Sequence, residues 1–299
     1  MERPSARALR ELYEQNINIM AHLRAMNGVA ENDPEAVLIS YDLQSGSYTR
    51  AWRDPAHRAV RDRYADQIAE VLGKLDGDSL LEAGVGEATT LCSVVERLPR
   101  QPTVVAGCDI AWSRIAEARR HAEERGQTGN MLFTGDLFAL PAGDASFDIV
   151  FTAHALEPNH GREAAALREL YRVARKWLVL FEPSYELGSE ATRQRIEEHG
   201  YIRGLPTIAR ELGWEIVEHR LLENPVRENN QTAVLVVRKP EAAAANGQPE
   251  LACPRCRLRL TLHRGNHFCG ECLSVFPIID QIPCLLPENA ILATKYMQS

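Results

Sequence analysis

The chain has 299 residues, 45% of them apolar, and a formal net charge of −7. That length allows one large or two smaller domains, and that charge excludes a protein that coats nucleic acid along its whole length. No apolar run approaches the roughly 20 residues of a membrane-spanning helix, the N-terminus has no apolar signal core, and seven cysteines with two Cys-x-x-Cys pairs do not make a secreted disulfide framework, so a reducing cytoplasm is expected.

Residues 5 to 26 place Leu9, Leu12, Ile17, Met20 and Leu23 near one face of a helix, and Asn27-Gly28 would stop it. Tyr41-Asp42-Leu43-Gln44-Ser45-Gly46-Ser47-Tyr48 reads as an irregular segment. Two tyrosines, a glutamine and a glycine ahead of the first strand suggest a lid; a surface loop whose tyrosines pack on the core is the alternative. Residues 1–54 form this N-terminal helix and lid segment. A helix from about Pro55 to Lys74 leads into the next region.

Ser79 to Ala83 reads as a short buried strand carrying one acid, Glu82. A Gly84-Val85-Gly86 turn and a helix-like run from Thr89 to Leu98 follow. Strand, glycine turn and helix make the first crossover of a doubly wound sheet. Glycine lets the backbone turn sharply and leaves no Cβ between it and a ligand. The helix N-terminus behind it offers free N–H groups. The dinucleotide fingerprint Gly-x-Gly-x-x-Gly/Ala fails, because Thr89 stands at its last position. Thr103 to Asp109 is a second strand. Asp109 follows Gly86 at about the 20-residue interval at which such folds place a carboxylate for ribose hydroxyls. A cap for the helix from Ala111 onward is the alternative. Met131 to Leu137 makes the third strand and its end, with Asp136 there. Leu140-Pro141 and then Ser146-Phe147-Asp148-Ile149-Val150-Phe151 open a fourth.

These features, in this order over residues 80 to 151, resemble the class I S-adenosylmethionine-dependent methyltransferases. The acid-x-Gly-x-Gly-x-Ala pattern is similar to their first motif, with Ala88 where a third glycine is usual. The resemblance implies an α/β fold: a Rossmann-like seven-stranded sheet with helices on both faces and its last strand antiparallel between strands five and six. It implies S-adenosylmethionine as cofactor. Glu82 would meet the methionine end with Gly84 and Gly86. Asp109 and Ile110 would meet the ribose side, Asp136 and Leu137 the adenine, and Thr152 the end of strand four. It also implies a pre-sheet segment folding over the cofactor, the place of the lid.

Strand four ends at Thr152-Ala153-His154-Ala155-Leu156-Glu157-Pro158-Asn159-His160, and ligands of open α/β sheets bind beyond strand carboxyl ends. The Asn/Asp-Pro-Pro-aromatic motif of amine-directed DNA, RNA and glutamine enzymes is absent here, as is a cysteine for attack on pyrimidine C5. The stretch resembles the small-molecule branch, so an O or N of a small molecule is the expected methyl acceptor. His154 and Glu182 are the candidate catalytic residues, with Tyr185 and His160 behind them; a structural His154 is the alternative. The helix Arg162–Val173, the strand Trp177–Pro183, a helical run over 190–212, and strands at Trp214–Leu222 and Gln231–Arg238 complete a domain over 55–238.

Residues 239–250 read as a proline-bounded linker. Beyond it Cys253-Pro254-Arg255-Cys256 and Cys269-Gly270-Glu271-Cys272 supply four thiolates at hairpin separation, a closed tetrahedral set for structural zinc. Phe276-Pro277-Ile278-Ile279-Asp280-Gln281-Ile282-Pro283-Cys284-Leu285-Leu286 resembles the zinc-ribbon activator subunit of tRNA and translation-factor methyltransferases, with Gln281 for a usual glycine. Residues 251–299 are thus expected to form a zinc-ribbon domain that docks its apolar tail on the catalytic domain, while cofactor affinity survives its unfolding. Cys92, Cys108 and Cys284 read as buried core residues. Arg255, Arg257, Arg259, Arg264, His263 and His267 give the ribbon a basic patch. Docking of RNA or protein substrates there is one alternative function, and a non-catalytic cofactor-binding adaptor is another.

Overall fold

A computed structural model describes residues 4–29, 32–240 and 248–298. Residues 241–247 of the expected linker lie outside the described residues. The chain opens with α1 (Ala6–Glu14), α2 (Ile19–Asn27), α3 (Pro34–Leu43), α4 (Ser47–Trp52) and α5 (Pro55–Gly73). The single helix expected over residues 5 to 26 is two, because Asn16 takes a left-handed φ of 63° and the Asn18 side chain accepts from the Ala21 amide to start α2. Asparagine tolerates both roles better than most residues. The segment expected to be irregular over 41–48 is also largely helical: α3 runs to Leu43 and α4 starts at Ser47, with only a tight turn between.

The sheet is built from β1 (Ser79–Ala83), β2 (Val104–Asp109), β3 (Met131–Thr134), β4 (Phe147–Ala153), β5 (Ala174–Pro183), β6 (Glu215–Leu221) and β7 (Thr232–Arg238), in the order β3-β2-β1-β4-β5-β7-β6. The first five are parallel, and β7 runs antiparallel between β5 and β6. β1 and the inner part of β4 are buried on both faces, as parallel strands must be when helices cover both sides. The intervening helices are α6 (Thr89–Val95), α7 (Trp112–Glu124), α8 (Glu163–Val173), α9 (Glu190–His199) and α10 (Leu205–Glu211). Gly200, left-handed, ends α9, so the helical run over 190–212 is broken in two.

Two cores flank the sheet. Tyr64, Ile68, Leu72, Leu91 and Ile115 pack with Leu80, Phe151, Phe181 and Val234 on the face of α5, α6 and α7. Leu167, Leu170, Ile202 and Ala209 pack with Leu81, Val150, Leu178 and Leu235 on the face of α8 and α10. β3 ends at Thr134, short of the expected Leu137, because the chain turns just beyond, the Ala139 amide donating to the Asp136 carbonyl at 3.0 Å. Asp136 therefore sits in a turn.

The C-terminal region adds β8 (Thr261–His263), β9 (Asn266–Cys269), β10 (Ser274–Phe276), β11 (Ile278–Ile279), β12 (Ile282–Pro283) and β13 (Ile291–Leu292). β8 and β9 form a hairpin between the two cysteine pairs, in a four-stranded sheet β13-β10-β9-β8. Cys253, Leu260, Cys269, Phe276 and Leu285 belong to the same apolar cluster as Phe133, Leu140 and Ala142 of the main sheet. Cys284 bridges in parallel to Thr134 at the β3 edge, and Leu251 bridges to Ala142. An open edge strand is a hazard that proteins cover; here the C-terminal region covers it.

Candidate functional site

The carboxyl ends of β1, β2 and β4 lie along one edge of the sheet, where the turn between α3 and α4 packs on Glu87 and Ser113. Gly84 and Gly86 have φ of 78° and 55°, a backbone that glycine adopts without strain. At Gly84 a Cβ would lie 2.2 Å from that of Ala155, so the absent side chain makes room for the loop after β4. Glu82 is 1% exposed, and its Oε2 has no hydrogen-bond partner. Burial holds its carboxyl well above the usual carboxylate range, with Arg61 pulling down and Asp109 pushing up. An unpaired buried carboxylate oxygen invites a donor, because leaving it unsatisfied is costly.

Asp109 accepts from the Gly86 amide at 2.9 Å and the Ala111 amide at 3.0 Å, one on each oxygen. It thus ties the glycine loop to the start of α7. Asp109 is not the N-cap of α7, which is Ala111 without a side-chain capping bond; each of its carboxylate oxygens can still accept a second bond. Burial raises its pKa, opposed chiefly by Arg114. Asp136 accepts from the Phe138 amide at 3.0 Å, and the Arg162 guanidinium stacks 3.4 Å over the Phe138 ring. Ile110 and Leu137 follow these two acids directly.

On the other flank, the Glu182 Oε1 accepts from the Ala155 and Leu156 amides at 3.1 and 3.2 Å. Its Oε2 is buried without a partner of normal geometry, beside the Thr152 hydroxyl. Burial pushes the Glu182 pKa up to about 7, with His154 opposing. Both ring nitrogens of His154 are committed: Nδ1 to Glu157, and Nε2 to the Thr232 hydroxyl at 2.8 Å. Asn230 also reaches Glu157, at 3.2 Å. His154 has φ of 58° and meets the Tyr64 ring edge-on at 5.7 Å. The structure therefore brings His154 and Glu182 to one loop but gives them different standing. Glu182 Oε2 has only the Thr152 hydroxyl beside it, whereas both imidazole nitrogens have partners at hydrogen-bond distance. Tyr185 and His160 are paired elsewhere, with Glu197 and Glu163 at 2.8 and 2.7 Å.

Several residues around this site carry no sequence pattern of their own. Tyr64 is 1% exposed on α5, with an unpartnered hydroxyl. Arg61, one turn earlier, donates to the Thr90 hydroxyl at 2.8 Å and stacks on Tyr64. Glu87 and Arg114 are buried beside the glycine loop. Only Glu87 left a trace in the sequence, as a charge inside a glycine turn.

The four ligand sulfurs of Cys253, Cys256, Cys269 and Cys272 lie within 4.8 Å of one another. Cys253 and Cys272 are 3.8 Å apart. A tetrahedral ion with Zn–S bonds of about 2.3 Å sets its sulfurs roughly 3.8 Å apart. The cluster can hold such an ion and offers it no open position.

Residues 80–176 match the family model described as a methyltransferase domain. Over about 70% of its length the chain superposes on magnesium protoporphyrin IX methyltransferase from Synechocystis PCC 6803. In the form with bound SAH the TM-score is 0.54 at 18% identity, covering 70% of this chain and 100% of that one. In the form with bound SAM the TM-score is 0.52 at 17% identity, covering 71% and 99%. This is the class I methyltransferase fold. Among curated proteins, the ubiquinone/menaquinone biosynthesis C-methyltransferase UbiE of Paracoccus denitrificans is 32% identical over 135 residues, covering 45% of this chain. The chain spans about half the length of that relative, 48%. The methyltransferase fold explains why the site lies where it does: the loops after β1, β2 and β4 converge at the carboxyl edge of the sheet.

Proposed function

We propose that the chain is a class I S-adenosylmethionine-dependent methyltransferase acting on a small-molecule acceptor, with a structural zinc in its C-terminal cysteine cluster. The observation that carries this reading is the row Glu82, Asp109 and Asp136 along the ends of β1 to β3, the first two buried and the third half-buried, with the Glu82 Oε2 unpaired. Bound S-adenosylmethionine supplies an electrophilic methyl on a sulfonium. Glu82 would take its ammonium and Asp109 its ribose diol, through lone pairs left beside the Gly86 and Ala111 amides. Asp136 would face the adenine amino group, with Ile110 and Leu137 packing on the ring. Holding both reactants in line is the chain's main contribution, on the order of 7–11 kcal/mol in well-oriented cases.

Glu182 is the better base. Its Oε2 is free to take a proton, and a pKa of about 7 suits proton transfer near neutrality. His154 serves as a positioning residue, clamped between Glu157 and Thr232. An oxygen or nitrogen acceptor loses its proton to such a base; a carbon acceptor, as in the name of the Paracoccus relative, would lose one after transfer.

A small molecule is favoured over RNA because the basic patch of the ribbon is partly spent. Arg257 lies 3.8 Å from Glu169, and Arg259 lies 2.9 Å from Glu250. The test uses S-adenosylmethionine with a labelled methyl group, full-length protein, and separate RNA, protein and small-molecule fractions of a cell extract. Label should enter the small-molecule fraction, and Asp109→Ala should weaken cofactor binding about ten- to hundredfold, the loss of charged-group hydrogen bonds. Label confined to RNA would move the acceptor to the ribbon side. Failure to bind the cofactor at all would sink the reading.

A further inference from the structure

The charged groups around the glycine loop are shut away from solvent: Glu82 is 1% exposed, Glu87 2%, Arg114 5% and Asp109 9%. A buried carboxylate needs partners, and those of Glu87 come from the lid. It accepts from the backbone amides of Gly46 at 3.0 Å, Tyr48 at 3.4 Å and Thr49 at 2.7 Å. These belong to the first turn of α4 and the residue before it, where a helix leaves amides unpaired. α4 has no side-chain cap of its own, since its N-cap is Gly46 in the left-handed region. A residue of the glycine loop, far away in sequence, does the capping.

Arg114 closes the other side. Its guanidinium lies between the Tyr41 and Tyr48 rings, 4.6 and 4.8 Å from their centres. Its Nε donates to the Tyr41 carbonyl at 3.0 Å. Its Nη1 lies 3.1 Å from where a Gly86 Cβ would stand, so the cation rests directly on the glycine loop. Asp42 adds a further tie, accepting from the Ser113 amide and hydroxyl at 3.0 Å each. The turn between α3 and α4 is thus bound by charged, buried bonds to the very residues that line the site. Such bonds are stronger than neutral ones.

We propose that Glu87 and Arg114 are positioning residues that latch the lid over the glycine loop, and that the cofactor enters and leaves only when this latch breaks. The inference rests on reading the glycine loop as the cofactor site. It also separates two roles in one loop: Glu82 faces the ligand, and Glu87, five residues on, faces the lid.

The test has two arms on the full-length chain. Hydrogen–deuterium exchange without ligand compares wild type with Glu87→Ala, Glu87→Gln and Arg114→Lys. Amides of residues 46–50 should exchange about ten- to hundredfold faster in Glu87→Ala, from the loss of charged-group bonds. Glu87→Gln, which keeps one acceptor oxygen, should fall between, and protection in β1 and β4 should stay at wild type. The second arm follows S-adenosylhomocysteine by stopped-flow fluorescence, with Trp52 on α4 as a reporter. Association and dissociation should both accelerate in Glu87→Ala and Arg114→Lys, with Kd moving less than either rate. Unchanged exchange over 46–50 overturns the latch. So does a weaker Kd reached with the wild-type dissociation rate multiplied and association untouched, which marks a plain ligand contact. If exchange responds but wild type takes up no S-adenosylhomocysteine, the latch stands and the cofactor reading fails.

Discussion

The Leu285 backbone N–H donates to the Thr134 hydroxyl at 2.9 Å, two residues before Asp136. On the other side of β3, Thr134 is in register with Asp109 of β2. A single ladder therefore runs from the C-terminal cysteine-rich region through β3 to the acid proposed for the ribose. The C-terminal cysteine-rich region is fastened to the edge of the candidate cofactor site.

Cutting the chain at residue 240 should lower thermal stability and cofactor affinity together. The cut uncovers Phe133, Leu140 and Ala142, which now pack against Phe276 and Leu285. Thr134→Val is the milder version: it leaves the buried Leu285 amide without its acceptor, at a cost of roughly 1–3 kcal/mol. Each kcal/mol corresponds to about 2–4 °C in domains of 150–250 residues. Calorimetry of both variants checks this, and a truncated chain that melts with the intact protein would show the ribbon to be a tethered, independent module.

Metal analysis of the purified protein should find one ion per chain, lost in Cys253→Ser. Cys253 and Cys269 share the apolar cluster of Phe133 and Leu140. The sequence alone suggested that cofactor affinity would survive loss of the ribbon fold; the shared core predicts that it falls. Limited proteolysis of residues 251–288 and a titration with S-adenosylhomocysteine follow the two effects side by side. Wild-type affinity in a metal-free, protease-sensitive mutant would restore the earlier expectation.

Methyl transfer should rise with pH through an apparent pKa near 7, the value to which burial pushes Glu182, because only its deprotonated form can act as base. Stability should move the opposite way. The Glu182 pKa is raised in the fold from about 4.5, so between these values the folded state holds a proton that the unfolded state has lost, and stability falls as pH rises through that window. Glu182→Gln can still accept from the Ala155 and Leu156 amides. It should flatten both profiles and lower kcat far more than it raises KM. An unchanged pH–rate profile in this variant would remove Glu182 from the reaction.

Gly84→Ala should destabilise the loop on two counts. The new Cβ would stand 2.2 Å from that of Ala155, and φ of 78° is strained for any side chain. Adding Ala155→Gly relieves the contact and leaves the strain, so the double variant should recover part of the lost melting temperature. Recovery in full would mean that the backbone relaxes; no recovery would mean that Ala155 is not the obstacle.

The local pattern carried much of this protein. Apolar runs marked each strand of the sheet and a glycine turn marked the end of the first, and the acids at strand ends were legible because a crossover fold brings the carboxyl ends of its parallel strands to one edge. Two Cys-x-x-Cys pairs were enough to mark the four cysteines that the fold gathers, since the hairpin between them, with Arg264 and Gly265 at its left-handed turn, follows from spacing. Helix breaks were missed where asparagine or a lone glycine stopped a helix inside an apolar period, as at Asn16 and Gly200. What only the tertiary structure decided is which polar atoms remain unpaired. His154 and Glu182 look equally chemical in sequence. Folding gives the imidazole Glu157 and Thr232, 78 residues away for the latter, and leaves one Glu182 oxygen with only the Thr152 hydroxyl beside it. Arg114 gained a partner set, and Glu87 its amide donors, only where the turn between α3 and α4 packs across them. Burial and pairing depend on contacts between residues far apart in the chain, and a linear pattern holds no record of those distances.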